Sequence, residues 1–80
     1  MKGWYVVCYD ISNDRARSKI EKTISGYGQR VQYSLFECYL DGAKKKELLN
    51  SLKELFKKLK IDESRDNVRI YKLCELCRQK

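Results

Sequence analysis

The chain has 80 residues, with 18 lysines and arginines against 11 aspartates and glutamates, and a formal net charge of +7. This length accommodates one domain, and so small a domain buries only about 60–65% of its unfolded surface, so we expect a metal or a second chain to support its core. Histidine is absent, which excludes imidazole acid–base chemistry and histidine metal ligands.

The excess of basic residues favours a polyanionic partner over a merely solvated surface, and nucleic acid is the partner we expect. A membrane partner is not expected, because no segment combines a large apolar face with an aromatic edge and no apolar run is long enough to cross a bilayer. The N-terminal sequence MKGWYVV has no signal-peptide pattern, so we expect a cytoplasmic protein with reduced thiols.

The first predicted elements are a strand followed by a helix. Residues 5–9 (YVVCY) are β-branched and aromatic on both faces, which is typical of a central strand covered on both sides. A helix over residues 13–25 follows from Ala16, Ile20 and Ile24 at helical spacing. Its candidate N-caps are Ser12, Asn13 and Asp14, and its end is predicted at Gly26 and Gly28.

The stretch RVQYSLFECYL has the alternating apolar pattern of a β-strand. Between Leu35 and Phe36, however, the apolar residues change from one face of that strand to the other. Such a change predicts a bulge, a kink or two short strands. Asp41-Gly42 is predicted to be a turn before a second helix, residues 43–60, whose leucine stripe lies opposite seven lysines. A loop, DESRD, then leads to a last strand through Val68 and Ile70, with residues 73–77 as its continuation or as a further short strand.

If the middle segment forms two strands, the order is βαββαβ, an α+β, ferredoxin-like fold in one domain, residues 1–80. Two helices cover only one face of an antiparallel sheet. The other face would still carry apolar residues of the first strand, so we expect a homodimer through that face.

The four cysteines, Cys8, Cys38, Cys74 and Cys77, allow two interpretations. The single C-x-x-C at residues 74–77 would need Cys8 and Cys38 to complete a structural zinc site, and it lies far from the position of a redox motif. The alternative, which we favour, is that all four are small packing residues.

The remaining candidate for chemistry is Asp10, which follows an apolar strand directly. Asp14 is explained as a cap or a first-turn acid, and the other acidic residues considered are expected on surface strands or loops: Glu37, Asp41, Asp62, Glu63 and Asp66. Asp10 is either an N-cap or arginine partner, or one half of a metal site that two copies share across a dimer axis. Mg²⁺ binds through one or two carboxylates while keeping several waters.

Three stretches, YDISNDRARSKI, YGQRVQYSLFE and DNVRIYKL, resemble a known family over nearly the whole chain. It is the small CRISPR-associated endoribonuclease, the non-integrase subunit of the spacer-acquisition complex, often called CRISPR-associated protein two. The resemblance implies a ferredoxin-like homodimer in which Asp10 and its symmetry mate bind Mg²⁺ or Mn²⁺. It also implies that Asp10 is catalytic and that the nucleic-acid-binding residues are Tyr9, Arg17, Lys19, Arg30 and Phe36.

Two departures from the family pattern are visible. Lys19 stands where some members carry arginine, which keeps the charge but not the bidentate geometry. Many members run longer and exchange a C-terminal strand between protomers, and here such an exchange would be limited to residues 73–77.

The resemblance implies a metal-dependent endonuclease for RNA or duplex DNA in CRISPR adaptation and antiviral defence. A second hypothesis is a non-catalytic dimeric platform that holds duplex DNA and bridges the CRISPR integrase subunits. A third is a simple RNA-binding ferredoxin-like module, which the missing glycine-and-aromatic strand pattern disfavours.

Overall fold

The computed structural model describes residues 2–73, which form four strands and two helices in the predicted order. The elements are β1 (Gly3–Asp10), α1 (Asp14–Ser25), β2 (Gly28–Gln32), β3 (Leu35–Leu40), α2 (Gly42–Lys58) and β4 (Asn67–Leu73). The strands pair antiparallel in the spatial order β2-β3-β1-β4. This is the ferredoxin-like α+β arrangement that the sequence predicts. Within residues 2–73, no helix is long and apolar enough to cross a bilayer.

Both helices begin at capping residues. The Asn13 side chain accepts a hydrogen bond from the Ala16 amide at 2.9 Å and so caps α1. Asp41 accepts from the Lys44 amide at 2.7 Å and caps α2, which begins at Gly42. The prediction of a turn at Asp41-Gly42 was therefore wrong, because a carboxylate followed by free amides starts a helix as readily as it starts a turn.

The middle segment forms two strands, which is one of the alternatives that its phase change predicts. Residues 33 and 34 form the turn between β2 and β3, and the pairing register shifts between Arg30 and Gln32. Because a turn separates the two strands, their apolar residues need not share one alternating pattern.

The core lies between the sheet and the two helices. Along β1, alternate side chains point to opposite faces, and Tyr5, Val7 and Tyr9 are buried under the helices. From β3, Phe36, Cys38 and Leu40 join them, and the helices add the apolar stripe that the sequence predicts: Ala16, Ile20, Ile24, Leu48 and Leu52.

The opposite side of the sheet, here called the open face, carries Trp4, Val6 and Cys8 of β1, Leu35 and Tyr39 of β3, and Tyr71 of β4. No helix of residues 2–73 covers it. Tyr39 and Tyr71 are half exposed, while the other members are partly buried by one another. The prediction that β1 is covered on both faces is therefore not met within the described part of a single chain.

Candidate metal-binding and nucleic-acid-binding site

Asp10 is the last residue of β1, and its backbone pairs with Asn67 of β4. Alternation along the strand places its side chain on the open face, with Cys8 and Val6, and the residue is exposed. Among residues 2–73, no side-chain hydrogen bond or ion pair involves Asp10. Its carboxylate is therefore available to a ligand.

Neither alternative interpretation of Asp10 fits this geometry. Asn13, not Asp10, caps α1. Arg17 forms an ion pair with Asp14 and donates to the Ile11 carbonyl at 3.1 Å, so it is not a partner of Asp10. Within the described chain, no ion pair joins Asp10 to Arg15 either. Asp14 is the first-turn acid that the sequence predicts.

The loop that follows Asp10 is fixed by a buried aspartate that sequence reasoning misplaced. Asp66 is 6% exposed and accepts hydrogen bonds from both the Ser12 amide, at 3.2 Å, and the Ser12 hydroxyl, at 3.0 Å. Arg65 donates to the same hydroxyl at 3.3 Å. The expectation of a surface Asp66 was wrong, because its partner is 54 positions away in the sequence and no local pattern indicates it.

A second group of predicted site residues meets on the helix side of the sheet. Tyr9 and Phe36 are buried, with ring centroids 6.1 Å apart. The Arg30 guanidinium lies 5.4 Å from the centre of the Phe36 ring and forms an ion pair with Glu21 of α1 at 3.1 Å. The Tyr9 hydroxyl donates to the other oxygen of Glu21 at 2.6 Å. Glu21, which was not predicted as a site residue, thus joins Tyr9 to Arg30.

The surroundings of Tyr9 suppress its ionisation. Burial, followed by the hydrogen bond to Glu21 and the negative charge of that residue, raises the pKa of Tyr9 to about 12. The nearby cations Arg30 and Arg17 act in the opposite direction but are outweighed. Tyr9 therefore stays a neutral hydrogen-bond donor at neutral pH and does not serve as a base.

The other predicted cations lie on α1. Arg17 is held in the first turns of the helix, and its hydrogen bond to Asp14 is the main cause that raises the pKa of its guanidinium. Lys19 is exposed, and in the described chain no side-chain contact holds it. The structure thus brings Tyr9, Arg30 and Phe36 into contact, fixes Arg17 beside the loop after β1, and leaves Lys19 free on the surface.

The cysteines that the structure describes do not form a metal site. Cys8 lies on the open face, whereas Cys38 is fully buried on the helix side. Because the sheet separates them, they cannot complete one zinc site. Cys74 and Cys77 lie outside the described residues, as does most of the predicted exchange segment. No cluster of three or more cysteine, aspartate or glutamate side chains suited to a metal occurs within residues 2–73.

A cleft of about 940 Å³ lies between α2 and β4, and Asp10 is not among its lining residues. Its floor is apolar and its rim is mainly lysine: Leu49, Phe56, Ile70, Lys45, Lys53 and Lys57 are among its lining residues. It has no group that adds to the chemistry of Asp10.

The fold and the site together define a basic, ferredoxin-like α+β domain with an exposed strand-end carboxylate on one side of its sheet and an arginine–aromatic cluster on the other. The sequence profile of the family described as CRISPR associated protein Cas2 matches residues 1–80. The chain therefore belongs to the CRISPR-associated Cas2 family.

Individual relatives agree with this assignment. A Chloroflexus aurantiacus protein named CRISPR-associated endoribonuclease Cas2 1 is 46% identical over 76 residues, which cover 95% of this chain and 77% of that protein. The crystal structure of Streptococcus pyogenes Cas2 superposes with a TM-score of 0.77 at 28% identity, covering 95% of this chain and 92% of that one. A chain of a partial Cas6-RT-Cas1–Cas2 complex gives a TM-score of 0.82 at 32% identity, covering 94% and 81%.

Proposed function

We propose that this protein is a divalent-metal-dependent endonuclease that hydrolyses phosphodiester bonds of RNA or duplex DNA in CRISPR adaptation and antiviral defence. The observation that supports it most is Asp10, an exposed carboxylate at the end of a buried strand, without a side-chain partner in residues 2–73. The endoribonuclease name of a relative 46% identical to this chain supports the same activity.

The proposed active form is a homodimer through the open face. The apolar residues of this face lie beside the charged residues Glu37 and Arg69, and its members Trp4 and Tyr39 form an aromatic pair with ring centroids 4.9 Å apart. Burying such a patch against a second copy removes apolar surface from water. Because Asp10 lies on the same face, a two-fold axis through it would bring two Asp10 carboxylates to one interface.

The donor set fits Mg²⁺ or Mn²⁺ only in that dimer. One chain offers a single carboxylate, and residues 2–73 contain no acidic cluster that would complete a site alone. Two carboxylates are the number with which Mg²⁺ is commonly bound, with waters in the remaining positions. When bound, such a cation supplies an activated water and offsets the charge that develops on the scissile phosphate.

The basic residues of α1 and β2 hold the nucleic acid backbone in this proposal. Arg17, Lys19 and Arg30 contact phosphates, which position the substrate without reading its sequence. Tyr9 and Phe36 are buried, so their proposed part is to support Arg30 from beneath rather than to stack on bases.

The proposal is tested with labelled RNA and labelled duplex DNA, each incubated with the wild-type protein in Mg²⁺ and in EDTA. We expect cleavage of at least one substrate in Mg²⁺ and none in EDTA. Equal cleavage under both conditions would contradict the metal dependence, and no cleavage of either substrate would contradict the nuclease proposal.

A second candidate function is a non-catalytic platform that holds duplex DNA and bridges integrase subunits. The observation that favours it is the similarity to a chain in a Cas1–Cas2 assembly, together with the net charge of +7. It predicts that Asp10→Ala retains both duplex binding and association with the integrase in sedimentation. Loss of both in a folded Asp10→Ala protein would argue against this platform role.

A further inference from the structure

We propose that Glu21 is a positioning residue for Arg30, which it holds in one orientation for contact with a nucleic acid backbone. This inference rests on the proposed function, in which Arg30 contacts phosphates. It concerns a residue whose contacts only the folded chain reveals, because α1 and β2 bring Glu21 and Arg30 together.

The two oxygens of the Glu21 carboxylate have different partners. One oxygen lies 3.1 Å from a terminal guanidinium nitrogen of Arg30. The other accepts the Tyr9 hydroxyl at 2.6 Å, and that hydroxyl also lies 3.3 Å from the Tyr33 carbonyl at the β2–β3 turn. The hydrogen bond from Tyr9 of the buried strand β1 thus holds the Glu21 carboxylate in place. The ion pair with this carboxylate in turn restricts the orientation of Arg30.

The aromatic ring of Phe36 restricts Arg30 from a second direction. The guanidinium carbon lies 5.4 Å from the ring centre, a distance at which a cation is attracted to the ring face. Yet 45% of the Arg30 side chain is exposed, and a guanidinium has five N–H donors. Arg30 is therefore restrained by Glu21 and Phe36 while donors remain for a phosphate.

Glu21 has two opposite effects on nucleic acid binding. Its negative charge weakens the attraction between this surface and phosphates, whereas its contact with Arg30 reduces the freedom that Arg30 would lose on binding. A matched control separates these effects. Glu54 is an exposed residue of α2 without a side-chain partner in residues 2–73, so Glu54→Gln removes the same charge without disturbing Arg30.

The experiment compares Glu21→Gln and Glu54→Gln for binding to labelled duplex DNA and labelled RNA, in EDTA and at one low salt concentration. Both variants raise the net charge by one unit. Of the two nucleic acids, the one that the wild type binds more tightly is used for the comparison. We expect Glu21→Gln to bind it about two- to fivefold more weakly than Glu54→Gln does, which is the size of effect typical of an exposed ion pair. Equal affinity of the two variants, or tighter binding by Glu21→Gln, would overturn the proposal.

The same pair of substitutions is then made in an Arg30→Gln background. If Glu21 acts through Arg30, the two double variants bind equally well. A difference that persists without Arg30 would show that Glu21 acts through the fold alone and would overturn the positioning role. Because these are binding measurements, a wild-type protein that binds but does not cleave would refute the nuclease proposal and leave this test intact.

Folding is checked independently of binding. The glutamine in Glu21→Gln keeps an oxygen that can accept the Tyr9 hydroxyl, so we expect thermal unfolding and circular dichroism close to those of Glu54→Gln. If Glu21→Gln does not fold, Glu21→Asp, which keeps the charge on a shorter side chain, replaces it in the same comparison with Glu54→Asp.

Discussion

Asp10 and Asp66 lie at the same end of the β1–β4 pairing, where Asp10 pairs with Asn67, but their environments differ. Asp66 is buried, and the amide and hydroxyl of Ser12 compensate its carboxylate. A buried charge without such partners would be strongly unfavourable. Asp10 is exposed and has no side-chain partner in residues 2–73. Asp66 therefore contributes to stability, whereas Asp10 is the residue on whose carboxylate the proposed function rests.

This assignment predicts effects of different size for two alanine substitutions on stability. Asp66→Ala leaves the Ser12 amide and hydroxyl without their acceptor, and it should lower the free energy of unfolding by about 1–3 kcal/mol. Asp10→Ala should change it by less than about 0.5 kcal/mol, as is usual for exposed positions. Urea denaturation at neutral pH in EDTA measures both. A larger loss for Asp10→Ala than for Asp66→Ala would reverse the assignment.

The raised pKa of Tyr9 predicts that the folded protein loses stability at alkaline pH. Its pKa rises to about 12 in the folded protein from about 10 in the unfolded chain. The neutral phenol thus stabilises the fold fully below pH 10, and this stabilisation is lost as the pH rises towards 12, because the unfolded chain releases its proton first. Two pKa units correspond to at most about 2.7 kcal/mol.

The measurement is the free energy of unfolding across that alkaline range for wild type and for Tyr9→Phe. Lysines and other tyrosines contribute equally to both proteins, so the difference isolates Tyr9. We expect the wild type to lose more stability than Tyr9→Phe. If the free energies of unfolding of the two proteins fell in parallel with pH, the pKa of Tyr9 would not be raised in the folded protein.

At the scale of elements, the close approach of β2 to β3 depends on Gly28. A Cβ atom at this position would overlap the Cys38 sulfur and the Glu37 carbonyl oxygen, and it would lie 2.9 Å from the Cys38 Cα. Backbone atoms of a central strand cannot move aside cheaply. Since β2 carries Arg30, the position of this strand matters for the arginine–aromatic cluster as well as for the sheet.

We therefore expect Gly28→Ala to lower the free energy of unfolding by about 1–3 kcal/mol, as overpacking typically does. Gly42→Ala is the matched control, because a Cβ at the start of α2 would meet nothing within 4 Å. It should be neutral or slightly stabilising, since alanine is the better helix former. Chemical denaturation measures the free energy of unfolding of both variants. Equal stability of the two would contradict the tight β2–β3 contact.

The elements show what the sequence could predict and what it could not. Periodicity located β1, β4 and both helices, and the apolar stripe Ala16, Ile20 and Ile24 is the buried face of α1, because local pattern and burial agree there. The division of the middle segment into β2 and β3 was one of several alternatives, beside a bulge or a kink. The contacts of Glu21 and Asp66 were missed because they join distant elements, and no local pattern records them.

The sequence likewise predicted only part of the candidate site. The position of Asp10 after an apolar strand was visible in the sequence, and its exposure on the open face follows from strand alternation. Strand alternation places the adjacent residues Tyr9 and Asp10 on opposite faces, but the sequence could not show that Tyr9 meets Glu21 there. It could also not show that Asn13 rather than Ser12 or Asp14 caps α1, since all three are good caps.

For the whole molecule, the open face predicts self-association. Sedimentation at micromolar concentration should give about twice the chain mass of 9.5 kDa. Val6→Lys places a charge in the middle of the open face and should shift the protein towards a monomer. Ala43→Lys adds the same charge at an exposed position of α2, on the other side of the sheet, and should remain dimeric. A monomeric wild type would exclude the shared Asp10 site.

The central claim is that Asp10 enables phosphodiester cleavage, and the most direct test is the single-turnover cleavage rate of Asp10→Asn in Mg²⁺. Asparagine keeps the size of the side chain but removes its charge, and the change occurs twice in a dimer. We predict a rate at least about 100-fold below that of wild type, which is about 2.7 kcal/mol of transition-state stabilisation, with the fold intact. A folded Asp10→Asn protein that cleaves at close to the wild-type rate would contradict the account.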